Sequence, residues 1–277
     1  MKIGIIGTGN MGTILISSFI DGFAAPPSDF IVTNRTLEKT IPLKERYPNL
    51  TVVESAEAVV SQSDLIFICV KPHEIYPLLN NLKSSLNETK FVVSITSPVA
   101  VNQLELLIPG PCARVIPSIT NRALAGTTLH TFGKRCTEKQ KERLTSLFSR
   151  ISVPVEIDEK VTRVASDISS CGPAFISYIL ERMIKAAIKV TAISEEQATD
   201  LVTQMMVGYG QLFNKEYYTL ETLQKKVSVK GGVTGEGLKV LEEELGPIFE
   251  HLFEKTHAKF IEDHQTVDAQ FGIGADE

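Results

Sequence analysis

The sequence predicts an α/β protein, with a doubly wound N-terminal sheet of Rossmann type followed by an all-helical C-terminal domain. Three observations predict it. A short apolar strand pattern runs directly into a glycine-rich turn and a helical run at the N-terminus. Strand patterns then alternate with helical ones to about residue 157, the pattern of a parallel sheet covered on both faces. From about Asp158 the apolar residues fall at three- and four-residue spacing instead. The expected domains are residues 1–157, 158–265 and a flexible tail over 266–277.

Residues 2–6 form a short β-branched run that reads as a strand buried on both faces, and Gly7-Thr8-Gly9-Asn10-Met11-Gly12 follows before a helical run over 13–20. In that context Gly7 allows the tight turn, Gly9 lets backbone approach a pyrophosphate, and Gly12 lets the helix pack close to the strand. The phosphates would sit on free N–H groups at the positive end of the helix. A second strand over 30–33 ends in Asn34-Arg35-Thr36, about 20 residues beyond the glycine turn, where an NAD site usually carries Asp or Glu. A guanidinium beside hydroxyl and amide donors suits a 2′-phosphate, so the expected cofactor is NADPH, with NADH the weaker alternative.

Next come a helix over 37–47, a strand over 51–53, a helix from about Ser55 and a buried strand over 65–70 that ends in Val70-Lys71-Pro72. A helix over 75–82 and strands over 91–95 and 113–117 follow, then a strand over 127–132, a helix over 137–149 and an edge strand over 153–157. Ligands bind beyond the carboxyl ends of such strands, so residues 7–12, 34–36, 70–72 and 96–98 are expected to line one crevice. Lys71 there either follows the cofactor or is solvated beside a structural X-Pro turn.

The helical half is expected over 164–191, 195–213, 235–245 and 247–264. The stretch over 167–189 is apolar on more than one face, which suggests burial by a partner subunit. Gly172-Pro173 is expected to break or kink it. Gly231-Gly232 ahead of Thr234 supplies a second ring of free backbone donors suited to a carboxylate, or else ordinary interhelical turn chemistry.

Composition narrows the class. The 277 residues are 43% hydrophobic and 22% charged with net charge −5, ordinary for a globular protein and unlike the basic face that a nucleic acid demands. No apolar run reaches the roughly 18 residues of a membrane span and no signal-peptide layout is present, so a cytoplasmic protein is expected. Cys69, Cys112, Cys136 and Cys171 are widely spaced, which reads as reduced buried thiols, with no metal site.

The chain resembles the pyrroline-5-carboxylate reductase family from Lys2 to about Phe260. The resemblance rests on Ile5-Ile6-Gly7-Thr8-Gly9-Asn10-Met11-Gly12, Val70-Lys71-Pro72-His73, Arg114-Val115-Ile116-Pro117, Ser169-Ser170-Cys171-Gly172-Pro173-Ala174-Phe175 and Gly231-Gly232-Val233-Thr234. It implies a C-terminal helical domain intertwined into homodimers, with decamers of those dimers in several members, and reduction of a cyclic imine, pyrroline-5-carboxylate, to proline. A cyclic imine can enter already protonated, so hydride transfer needs positioning more than a strong acid. The resemblance further implies that Thr234 hydrogen-bonds the substrate nitrogen, that the Gly231 and Gly232 backbone helps hold the carboxylate, and that Gly172 and Pro173 form the turn that shapes the pocket. Ser55 matches an asparagine that faces the adenosine ribose.

The substrate half departs from the family. Its usual Ser-Pro-Gly-Gly-Thr-Thr is here Val229-Lys230-Gly231-Gly232-Val233-Thr234, and its Pro-Asn-Thr-Pro is Pro117-Ser118-Ile119-Thr120. Lys230 either supplies a compensating cation or projects into solvent. A lost charged hydrogen bond costs about 1–3 kcal/mol, one to two decades of affinity. Such departures resemble a divergent branch encoded with late-competence genes in spore-forming bacteria, so an NADP-binding regulatory protein is the competing expectation. A β-hydroxyacid dehydrogenase fits worse, because the helix after Gly172 offers no lysine before Lys185.

Overall fold

The computed structural model of the chain describes residues 1–229 and 231–273, so the expectation for Lys230 falls outside the described residues. The first elements are β1 (Ile3–Ile6), α1 (Asn10–Asp21), β2 (Phe30–Thr33), α2 (Ile41–Arg46), β3 (Thr51–Val52), α3 (Ala56–Gln62), β4 (Leu65–Ile68) and α4 (Pro72–Asn81). They continue with β5 (Phe91–Ser94), α5 (Val101–Leu107), β6 (Cys112–Ile116), β7 (Thr127–Phe132), α6 (Glu138–Phe148) and β8 (Val153–Glu156). The sheet order is β3-β2-β1-β4-β5-β6-β7-β8. Strands β1 to β6 are parallel, as expected, but β7 runs antiparallel to β6. The short link over 117–126 is the reason, since a parallel return needs a crossover of a dozen or more residues.

The central strands are continuously apolar because each face has its own helices. Ile3 and Ile5 enter one core with Leu15, Phe19, Phe67 and Phe148, while Ile6 enters another with Ile66, Ile75 and Leu104. Phe19 meets Phe148 edge-on at 5.0 Å.

Beyond the sheet lie α7 (Thr162–Ser166), a π-helical segment (Asp167–Cys171), α8 (Gly172–Val190), α9 (Glu195–Asn214), α10 (Leu220–Val227), α11 (Val233–Leu245) and α12 (Ile248–Phe271). Gly172 keeps right-handed helical angles (φ −47°, ψ −42°), so the break expected at Gly172-Pro173 does not occur. Proline lacks an N–H, and its ring crowds the carbonyl four residues earlier, here Ser169. The wider π turn just ahead of it absorbs that conflict and the helix runs on.

The chain forms two compact units, Met1–Pro173 together with the chain from Lys255, and Ala174–Glu254. The first unit therefore runs past the expected boundary at 158. Arg114, buried in β6, is one cause: it grips Glu159 through both nitrogens at 2.8 Å and Thr162 Oγ1 at 2.6 Å. α12 continues to Phe271, into the stretch expected as a tail from residue 266. Val267 is buried in the second core, Phe271 meets Tyr76 edge-on at 5.0 Å, and Gln103 donates to Asp268 at 2.5 Å. Among the described residues of 174–254, Ala198 alone is buried. No helix among the described residues is long and apolar enough to cross a membrane.

Candidate cofactor and substrate sites

A cleft of about 750 Å³ lies at the carboxyl ends of β2, β1 and β4. Gly7, Gly9, Asn34, Arg35, Thr36, Val70 and Lys71 all line it, joined by Lys39, Glu54, His73 and Glu74. Residues 96–98 do not, because they follow β5, one strand farther along the sheet. Their loop is instead held by Arg114, which donates to the Ser97 carbonyl at 3.1 Å.

The two loops under the cleft are tied together. Thr8 is buried, and its hydroxyl accepts from Asn34 Nδ2 at 2.9 Å. Asn34 Oδ1 in turn accepts the Thr36 N–H at 3.0 Å. Asn10, Met11 and Gly12 form the first turn of α1. Ser55 sits between the lining residues Glu54 and Ala56, its hydroxyl capping α3 by accepting the Ala58 N–H at 3.2 Å. Pro72 is the first residue of α4.

The three glycines of the turn differ in what they would meet. A Cβ on Gly7 would lie 2.6 Å from the Cys69 carbonyl oxygen at φ +102°, and one on Gly12 would lie 2.1 Å from the Gly7 oxygen. Those two are explained by the chain's own packing. A Cβ on Gly9 would meet nothing within 4 Å. Its bareness leaves room for a group from outside the chain. Gly9 is also the N-cap of α1, with no side-chain cap and no acidic residue in the first turn, so no side chain of the cap satisfies the first N–H groups of the helix. These residues fit a dinucleotide pyrophosphate. Cys69 below the turn is not a nucleophile, because burial pushes its thiol up to about 12.

Sequence reasoning missed Glu74. Its Oε1 lies 2.7 Å from Arg35 Nη1 and its Oε2 accepts the Lys71 N–H at 3.2 Å. Partial burial pushes the carboxyl up, but the Lys71 N–H and the Arg35 guanidinium outweigh it and hold the group below its ordinary range. The signal was present as a glutamate at the third position of a helix opened by Pro72.

In the second unit, Gly231 takes φ +74° and Gly232 is the N-cap of α11, again without a side-chain cap. Val233 is 90% exposed and Thr234 lies in the first turn. Gly172 and Pro173 lie inside a continuous helix and form no turn. Among the described residues no His, Cys, Asp or Glu group could hold a metal ion.

Comparison with known proteins decides the family. A model described as pyrroline-5-carboxylate reductase dimerisation matches residues 159–263, and one described as NADP oxidoreductase coenzyme F420-dependent matches residues 2–98. ComE operon protein 4 of Bacillus subtilis (strain 168) is 52% identical over 99% of this chain and 100% of that protein. Pyrroline-5-carboxylate reductase 3 of the same organism is 30% identical, over 94% of this chain and 95% of that protein. The chain belongs to the pyrroline-5-carboxylate reductase family. Two solved members show the same fold. The Plasmodium falciparum enzyme with NADP bound has a TM-score of 0.79 at 23% identity, covering 99% of this chain and 98% of that one. The Coxiella burnetii pyrroline-5-carboxylate reductase has a TM-score of 0.82 at 24% identity, covering 96% and 98%. This pyrroline-5-carboxylate reductase family member thus carries an NADP-binding oxidoreductase fold followed by the family's helical dimerisation domain.

Proposed function

We propose that the protein is an NADPH-dependent reductase that converts the cyclic imine 1-pyrroline-5-carboxylate to L-proline. The observation that carries this reading is the pair of uncapped helix starts in one chain, at Gly9 and at Gly232. The N–H groups of Asn10, Met11 and Gly12 hold the pyrophosphate, and Asn34, Arg35 and Thr36 hold the 2′-phosphate end of the adenosine. Ser55, Val70, Lys71 and Pro72 border the same nucleotide. Bound NADPH supplies the hydride that converts the C=N bond to C–N.

At the substrate, the Gly231 and Gly232 backbone holds the carboxylate, with Val233 beside it. Thr234 hydrogen-bonds the ring nitrogen. It is the only side chain with a polar hydrogen in residues 231–235, which suits an imine that arrives protonated and needs orientation rather than an acid. The working assembly is a homodimer through the helical domain, with a decamer of dimers as the larger state. The scarcity of buried residues in 174–254 supports it.

One observation favours a second reading, an NADP-binding regulatory protein of competence, sporulation or biofilm development with weak turnover. Ser118 replaces a family asparagine, and its buried hydroxyl is already used, accepting from Thr120 N at 3.4 Å and from Thr120 Oγ1 at 3.0 Å. The deciding experiment is the initial rate of NADPH oxidation by purified protein with pyrroline-5-carboxylate, with NADH alongside and nucleotide binding titrated. Saturable turnover supports the reductase. Tight NADPH binding without turnover moves the assignment to the regulatory reading. For Thr234→Ala the expectation is a loss of about tenfold or more in kcat with NADPH affinity unchanged; equal losses in both refute the role.

A further inference from the structure

A specificity residue emerges at the Arg35 end of the cleft, and it rests on the nucleotide reading above. The end of β2 carries Asn34 where an acidic residue would hold a ribose 2′-hydroxyl. An acid reaches the same place from the start of α4. Glu74 lines the cleft with Arg35, and its Oε1 stands 2.7 Å from Arg35 Nη1. The carboxylate is the fixed partner. Its side chain is 28% exposed and its other oxygen accepts the Lys71 N–H, whereas the Arg35 side chain is 87% exposed. Glu74 therefore sets where the guanidinium rests. Lys39, Lys71 and His73 line the cleft as further cationic or titratable groups, and Glu54 as a second acid.

We propose that Glu74 determines cofactor selectivity, by competing with a 2′-phosphate for Arg35 and by accepting the 2′-hydroxyl of NADH, so that the protein discriminates only weakly between the two nucleotides. A phosphate dianion about 6 Å from a carboxylate in water loses about tenfold in affinity through repulsion alone. A 2′-hydroxyl carries no such penalty and gains an acceptor.

Glu74→Gln isolates the charge. Glutamine at the third helical position still accepts the N-cap N–H, so α4 keeps its start. Titrations of NADPH and NADH should show the preference for NADPH rising about tenfold in Glu74→Gln, with the melting temperature unchanged, and a rise should remain when Arg35→Ala is added, because the repulsion acts on the phosphate directly. An unchanged ratio in a variant that binds both nucleotides overturns the proposal. Independently of any variant, the wild-type preference for NADPH should stay below about tenfold. A wild-type preference above about a hundredfold also overturns it. Failure of the wild-type protein to bind either nucleotide overturns the cofactor reading itself and this proposal with it.

Discussion

At the scale of single residues, the glycine turn separates packing from ligand binding. Gly9→Ala adds a methyl where the chain has nothing within 4 Å. It should cost at most about 1 kcal/mol of stability as an N-cap change, while weakening nucleotide binding by about tenfold or more, or 1.4 kcal/mol. Gly12→Ala drives a methyl to within 2.1 Å of the Gly7 oxygen, and should destabilise the fold by about 1–3 kcal/mol. Thermal unfolding and NADPH titration on both variants check the contrast; a Gly9→Ala protein with unchanged affinity removes the pyrophosphate from this turn.

His130 carries a second residue-scale expectation. It is buried in β7, against Phe148 at 5.1 Å, and burial lowers its pKa to about 4. Its folded value lies below its unfolded value, so between the two the unfolded chain binds a proton that the folded chain refuses. Stability is full above about pH 6.5 and is lost as pH falls toward 4. Between pH 7 and pH 5 the loss from this group is about 2 kcal/mol. Urea unfolding at the two pH values should show that loss in the wild type and a smaller pH dependence in His130→Leu. Equal slopes in the two proteins would falsify the assignment.

At the scale of elements, the sequence pattern located the strands well and the ends of helices poorly. Continuous β-branched runs such as those of β1 and β4 have one reading, a strand with both faces covered. Pro173 has two, a break or an absorbed irregularity, and only the room to widen the preceding turn selects between them. The end of α12 is the clearest case. Residues 266–271 carry few apolar side chains, yet Val267 and Phe271 recur at helical spacing and find α4. Val267→Ala should cost about 2 kcal/mol in denaturant unfolding, the price of a cavity under that helix. A frayed tail would show no change.

For the whole molecule, the unit spanning 174–254 is the informative one. Leu201, Met205 and Tyr209 recur every fourth residue along α9 and all three are exposed, at 64%, 47% and 37%. A stripe of that kind is stable when another surface covers it. Sedimentation at micromolar concentration should give a dimer, and Leu201→Lys with Met205→Lys should shift it to monomer and lower the melting temperature. A monomeric wild-type protein of normal stability would remove the dimer from the proposal.

The layered α/β architecture and the glycine turn were legible in the sequence, because they depend on short-range periodicity and on glycines at fixed spacing, and the family was legible as a resemblance carried by residues 169–175 and 231–234. The sequence also identified Asn34, Arg35, Thr36 and Lys71 as neighbours of that turn, through the rule that strand ends converge in a doubly wound sheet. Tertiary structure alone decided the rest. The Arg35–Glu74 pair joins residues 39 positions apart, the Arg114–Glu159 pair extends the first unit past residue 158, and α12 returns to the second core from the far end of the chain. Each is a contact between side chains whose local patterns are indifferent to one another. Burial and charge match them only once the backbone has brought them together.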